Sequence, residues 1–178
     1  MTRREFAAAT TAAAAPRGAA EWFGRPMRWA QLAFVENDPG SYDRAFWLDF
    51  FRRTHTDAVC LSAGGCVAFY PTRIRFHHRS AWMKDGDPFG ELAAGCRELG
   101  MVVVARTDPH SIRGDAAEAH PEWVAVDAQG QKRRHWAAPG RWVTCALGPY
   151  NFEFMTEVTR EIMTLYRPDA IFANRWAG

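Results

Sequence analysis

Residues 87–108 read DPFGELAAGCRELGMVVVARTD, and this one stretch holds a complete folding unit. Asp87 before Pro88 marks a helix start, a carboxylate cap followed by proline in the first turn, where no N–H is needed. Leu92, Cys96 and Leu99 recur at helical spacing, and Gly100 supplies the stop. Met101 to Ala105 is then continuously apolar, the pattern of a strand buried on both faces of a parallel sheet. Arg106, Thr107, Asp108 and His110 follow as the chain reaches solvent.

Outward from this unit the pattern repeats. Trp29 to Val35, Ala58 to Leu61 and Ala170 to Ala173 are the other short apolar runs. Ser41 can cap a helix between the first two, with Phe46, Trp47, Phe50 and Phe51 on its apolar face. A third helix opens near Pro149, burying Phe152, Met155, Val158, Ile162 and Leu165, with Pro168 beyond its end. Alternating strands and helices predict an α/β fold with right-handed crossovers. The connections from Ser62 to Gly86 and from Thr107 to about Gly148 are long, and in such folds the segments after strands build the site. The second has its own pattern: Trp123 to Val126, a turn at Asp127-Ala128-Gln129-Gly130, and a returning run from Gln131 to Trp136.

Composition narrows the function. A length of 178 residues with 48% hydrophobic content suits one globular core, and a net charge of +2 is too small to imply a nucleic-acid or anionic-membrane partner. No apolar run approaches the roughly 18 residues of a membrane span. Cys60, Cys66, Cys96 and Cys145 form no C-x-x-C pair and have no histidine at zinc-site spacing, which argues against a structural metal. Cys60 and Cys96 read as small buried hydrophobes, while Cys66 and Cys145 lie in loops and either pair or stay free. Eight Trp and twelve Phe fit a packed core and also fit an aromatic cleft for sugar rings.

Polar residues follow every apolar run: Glu36, Asn37 and Asp38 after the first, Ser62 with Gly64-Gly65 after the second, and Asn174, Arg175 and Trp176 after the fourth. If the strands are neighbours, these sets meet with Asp108 and His110 at one mouth. Strands also end in polar residues simply because they reach solvent, but four sets in register favour a site. Glu36 reads as a carboxylate that holds sugar hydroxyls or acts as an acid, or that pairs with Arg106. Asp108 and His110 flank Pro109, and that turn either orients a hydroxyl or proton donor or caps the loop. The basic run Arg73-Ile74-Arg75-Phe76-His77-His78-Arg79 is too short for nucleic-acid binding. It reads as a solvated loop or as a lid supplying a hydrogen bond to substrate.

Several strings together resemble a known family. They are Phe69-Tyr70-Pro71-Thr72 with Phe76-His77, then Gly90-Glu91-Leu92 with Cys96-Arg97-Glu98-Leu99-Gly100-Met101. His120-Pro121-Glu122-Trp123 with Asp127-Ala128-Gln129-Gly130 is the most specific, and Asn174-Arg175-Trp176-Ala177-Gly178 closes the series. In order and spacing, Trp29 to Gly178 is similar to the N-terminal half of the barrel glycosidases called hypothetical glycosyl hydrolases, relatives of the α-L-fucosidases. The resemblance implies a (β/α)8 TIM barrel acting on a carbohydrate substrate with neither metal nor organic cofactor. The expected fold is then α/β, a partial barrel of the first four strands with long βα loops. Residues 1–26 would be an export signal and linker, and residues 27–178 the N-terminal half of the domain. Glu36 and Asp108 are the expected catalytic carboxylates, and Asn37, His77, His110, Asn174, Arg175 and Trp176 the expected substrate contacts.

One departure stands out. Fucosidase-like barrels deliver an Asp nucleophile from the fourth strand, where this chain has Asn174, and an amide cannot form a glycosyl ester. Two readings therefore stay open: a glycoside hydrolase using two carboxylates, and a carbohydrate-binding pseudoenzyme. A metal-dependent barrel hydrolase is disfavoured because no H-x-H follows the first strand. A closed barrel needs eight strands and about 250 residues, so the isolated chain is expected to be inactive and to self-associate through uncovered edges.

At the other end, Thr2-Arg3-Arg4-Glu5-Phe6 precedes an Ala/Thr stretch to Ala15 and then Pro16. This resembles a twin-arginine export signal; the alternative is an Ala-rich tail on a cytoplasmic protein. Export predicts that changing Arg3 and Arg4 together to Lys traps the protein in the cytoplasm, measured by cell fractionation. Unchanged export of that variant, or a mature form retaining Met1, would remove the signal reading.

Overall fold

A computed structural model describes residues 22–24 and 27–174. The strands are β1 (Trp29–Leu32), β2 (Ala58–Gly65), β3 (Val102–Asp108), β4 (Ser111–Arg113), β5 (Arg141–Val143) and β6 (Ala170–Ala173). The helices are α1 (Arg44–Arg53), α2 (Pro88–Glu98), α3 (Gly114–Ala119) and α4 (Met155–Tyr166). β1, β2, β3 and β6 form one sheet in that order, every pairing parallel, with α1, α2 and α4 as the crossovers. β4 and β5 pair antiparallel in a small second sheet within the long insertion between β3 and α4.

Period-two alternation divides the sheet into two apolar faces. Val59, Leu61, Val103 and Ala105 pack in one core with Phe51, Leu92, Cys96, Val158 and Ile162 from the helices. Ala58, Cys60, Val102 and Val104 turn the other way, where Trp22, Met27 and Ala170 pack on them. Burial on both faces is why these strands read as unbroken apolar runs.

The α2–β3 unit follows its sequence closely. The Asp87 side chain accepts from Gly90 N–H at 2.9 Å, Leu92 and Cys96 are buried, and Gly100 takes φ +75°. Elsewhere the expectations need correction. Asp43, not Ser41, caps α1, accepting from Phe46 N–H at 3.1 Å, because it is the last extended residue before the first helical turn. On α1 only Phe51 is fully buried, while Phe46 and Phe50 face outward. Phe152 is 66% exposed, since Tyr150–Phe154 forms a π-turn that shifts the helical phase and turns Tyr150 and Phe154 inward instead. Leu165 is exposed as well, and all four cysteines are free thiols.

A directed hydrogen-bond chain ties the end of β2 to α4. Gly65 N–H donates to His77 Nε2 at 3.0 Å, so the neutral imidazole carries its proton on Nδ1. That nitrogen lies 3.3 Å from Thr72 Oγ1 and 3.4 Å from the Tyr70 hydroxyl. Both hydroxyls donate onward to Glu161 Oε2, at 2.5 and 2.7 Å, while Arg73 N–H donates to Oε1 at 3.0 Å. Burial alone would raise the Glu161 carboxyl, but these bonds outweigh it and hold it below its ordinary value.

His77 is 3% exposed, and burial pushes it down from 6.5 to about 4 despite the attraction of Glu161. The folded state therefore resists the proton that the unfolded chain accepts. Stability is complete above pH 6.5 and falls as the pH drops through the window to about 4. The expected loss is roughly 3 kcal/mol, measured by urea unfolding at a series of pH values. In His77→Gln that slope should vanish; if it persists, another group carries it.

Candidate functional site

Two depressions compete for attention. The larger, about 980 Å³, lies between the loop after β2 and the outer side of α4, lined by Thr72, Arg79, Arg160 and Glu161 among others. The smaller, about 300 Å³, sits at the carboxyl ends of the parallel strands, where α/β folds place their chemistry. Glu36, Arg106, Asp108, His110, His135, Arg141 and Asn174 line it together with Phe34, Gly64, Cys66 and Phe69. The smaller one is the candidate site, because all four parallel strands or the loops leaving them contribute to it.

Its geometry begins with two glycines. A Cβ on Gly64 would stand 2.7 Å from the His77 ring, and Gly65, at φ +109°, passes so close to Asp108 that a Cβ would meet its carbonyl oxygen at 2.3 Å. This approach lets Cys66 N–H donate to Asp108 O at 2.8 Å, with the Cys66 thiol donating to the same oxygen at 2.9 Å. Ser111 Oγ donates to Cys66 Sγ at 3.1 Å, and the His110 ring lies 3.6 Å from it. Burial raises the Cys66 thiol above its ordinary value, which makes it a poor nucleophile.

With its carbonyl so occupied, Asp108 turns its carboxylate to the pocket. Oδ1 accepts from Arg106 Nη2 at 3.1 Å and from Asn174 Nδ2 at 2.6 Å. Asn174 is itself placed by its N–H, which donates to Thr107 O at 2.7 Å and extends the β3–β6 ladder. Across the pocket both oxygens of Glu36 are claimed: Oε1 by Arg113 and Oε2 by Arg141 at 2.6 Å. Those arginines are direct partners across β4 and β5. Along the rim, His135 stacks on Trp136 with centroids 4.0 Å apart, and Trp136 lies over His110 at 5.9 Å. Trp136 is 62% exposed.

The structure thus brings Glu36, Asp108, His110 and Asn174 to one pocket. It does not pair Glu36 with Arg106, whose partner is Asp108 from its own strand. Asn37 is exposed, opens the turn Asp38–Gly40, and does not line the pocket. His77 does not line it either; buried behind Gly64, it supports the backbone of β2. Arg175 and Trp176 lie outside the described residues. Sequence reasoning missed Arg113, Arg141, His135 and Cys66. The first three sit on the insertion, and only the β4–β5 pairing, a long-range event, turns them inward.

Among the described residues no group of three or more His, Cys, Asp or Glu could hold a metal ion, and no helix is long and apolar enough to cross a membrane. No curated protein matches the chain. Solved structures do. An α-L-fucosidase isoenzyme 2 from Paenibacillus thiaminolyticus superposes with a TM-score of 0.67 at 20% identity, over 86% of this chain and 24% of that one. A hypothetical protein from Ruminiclostridium thermocellum gives 0.60 at 14% identity, over 85% and 78%. A maltogenic α-amylase from Thermotoga neapolitana gives 0.57 at 16% identity, over 85% and 40%. The chain spans about a quarter of the length of the fucosidase, and at these identities the likeness is one of fold. The family model for hypothetical glycosyl hydrolase 6 matches residues 43–175, which run from the cap of α1 through α4 and β6 to the far side of the pocket. The chain belongs to the hypothetical glycosyl hydrolase 6 family.

Proposed function

We propose that this chain forms the first four strands, with the three crossover helices between them, of a (β/α)8 barrel that hydrolyses O-glycosidic bonds. The observation that carries the reading is Asp108. It stands at the carboxyl end of β3, with Oδ1 fixed by Arg106 and Asn174 in a pocket to which all four parallel strands contribute. Glycoside hydrolysis needs one carboxylate to attack the anomeric carbon, or to activate water for that attack, while a second acid protonates the leaving oxygen. Asp108, oriented by two donors on one oxygen, takes the first role. Family membership and the fold supply the reaction class.

Glu36 fits the acid role less well. A proton donor needs an oxygen free to carry the proton, and both of its oxygens accept from guanidinium groups. Its function in this reading is to position Arg141 at the substrate while Arg113 braces it from outside the pocket, and the acid comes from a later strand of the barrel. A second reading, sugar binding without turnover, is favoured by Asn174, an amide where the fucosidase-like pattern has the nucleophile.

The test is an aryl-glycoside panel together with sugar binding by calorimetry, both run on the complete barrel whose later strands supply the acid. Asp108→Asn should lower kcat/KM by about a thousandfold or more, and it should also lower the unfolding midpoint because Arg106 loses its anion. Asn174→Ala, which removes one orienting donor, should cost about tenfold. Sugar binding without turnover by the unmodified protein would select the binding reading, and full turnover by Asp108→Asn would remove Asp108 from the chemistry.

A further inference from the structure

We propose that the pocket selects glycosides whose sugar ring carries a carboxylate, that is, hexuronic acid units. The inference rests on the glycoside reading above and narrows it to a substrate class.

Among the described residues, Arg106 and Arg141 line the pocket and Arg113 backs it through Glu36, so three guanidinium groups stand against two carboxylates, Glu36 and Asp108. In each ion pair one guanidinium nitrogen, Nη2, reaches the carboxylate, so every fork keeps donors in reserve. Arg106 Nε is buried and has no hydrogen-bond partner. Acceptors are fewer: both Glu36 oxygens are taken, Asp108 Oδ1 accepts twice, and the Asp108 carbonyl accepts from Cys66, which leaves Oδ2 of Asp108 for the reacting centre. The hydroxyls of a neutral sugar can accept from these guanidinium donors, but only as neutral acceptors. A carboxylate accepts only, and its planar pair of oxygens matches the guanidinium fork.

Burial strengthens the preference. The Arg106 and Arg141 side chains are 13% and 17% exposed, so salt screens them less than surface cations. A space of about 300 Å³ is at the small end of ligand clefts, sized for a single ring and not for a polymer surface.

The experiment compares each acid with its own ester. Calorimetric titration of the full 178-residue chain uses short oligosaccharides of glucuronate and of galacturonate, the methyl esters of both, and a neutral gluco-oligosaccharide. One acid should bind at least about tenfold more tightly than its ester, with affinity falling as salt rises. Arg106→Gln should erase that difference, whereas Arg160→Gln, on the outer side of α4, should keep it. If Arg106→Gln does not fold, Arg141→Lys retains the charge, loses the fork, and should reduce the difference. Equal binding of acid and ester, or tighter binding of the neutral sugar, overturns the acidic-sugar inference and leaves the glycoside reading in place. Failure of every sugar to bind overturns the acidic-sugar inference, while the glycoside reading stands or falls on the turnover assay of the complete barrel.

Discussion

The backbone of Gly64 and Gly65 runs between the His77 ring on one side and the Asp108 carbonyl on the other, and both gaps are too narrow for a Cβ. Much of the pocket depends on that passage. It sits where the β2–β3 register shifts between Ser62 and Gly64, so the strand end bends toward β3 and does not run straight into solvent. Cys66 can then close on the Asp108 carbonyl, and Asp108, unable to turn away, presents its carboxylate to Arg106 and Asn174. On the other side His77 can accept from Gly65 only as a neutral imidazole. The Tyr70–Thr72–Glu161 network behind it therefore supports the site from a distance without contributing to its charge.

A second constraint folds the insertion over the pocket. Arg113 and Arg141 face each other across β4 and β5, an arrangement that like-charge repulsion disfavours in an antiparallel pair. Glu36 offsets it by taking one arginine on each oxygen, and because Glu36 follows β1, the bond also anchors the insertion to the opposite edge of the sheet. This small sheet carries no large core of its own, with Ile112 and Val143 as its fully buried apolar residues. Electrostatics at Glu36 and the neighbouring aromatic packing of Trp123, His120 and Tyr150 hold it in place.

What the sequence disclosed follows from range. Local signals were legible: the Asp87-Pro88 cap, the Gly100 stop and the four apolar runs each depend on residues within a turn or two. The meeting of Glu36, Asp108, His110 and Asn174 was legible too, because parallel strands with helical crossovers must place their carboxyl ends together. What escaped were events of phase and of distance. The π-turn at Tyr150–Phe154 rotates Phe152 out by a fraction of a turn that helical periodicity cannot register. Arg113 and Arg141 are 28 residues apart and become neighbours only through strand pairing. His77, in a run of basic and aromatic residues that reads as a surface loop, is buried because Gly64 leaves room for its ring.

The role of Asn174 is best understood through its neighbour. Asn174 Nδ2 lies 2.6 Å from Asp108 Oδ1. An aspartate at that position would bring two carboxylates within hydrogen-bond distance, and such a pair cannot both be ionised without severe repulsion. An amide converts the repulsion into a donated bond, so a single negative group remains at the β3–β6 boundary with a fixed direction. Arg106 completes the arrangement from the face of β3 that also carries Val102 and Val104, an apolar surface covered by Trp22 and Met27. A guanidinium beside that dry surface needs an anion, and Asp108 supplies it with its direction fixed by the Asn174 amide. The amide and the cation together hold this negative group at the end of the third parallel strand.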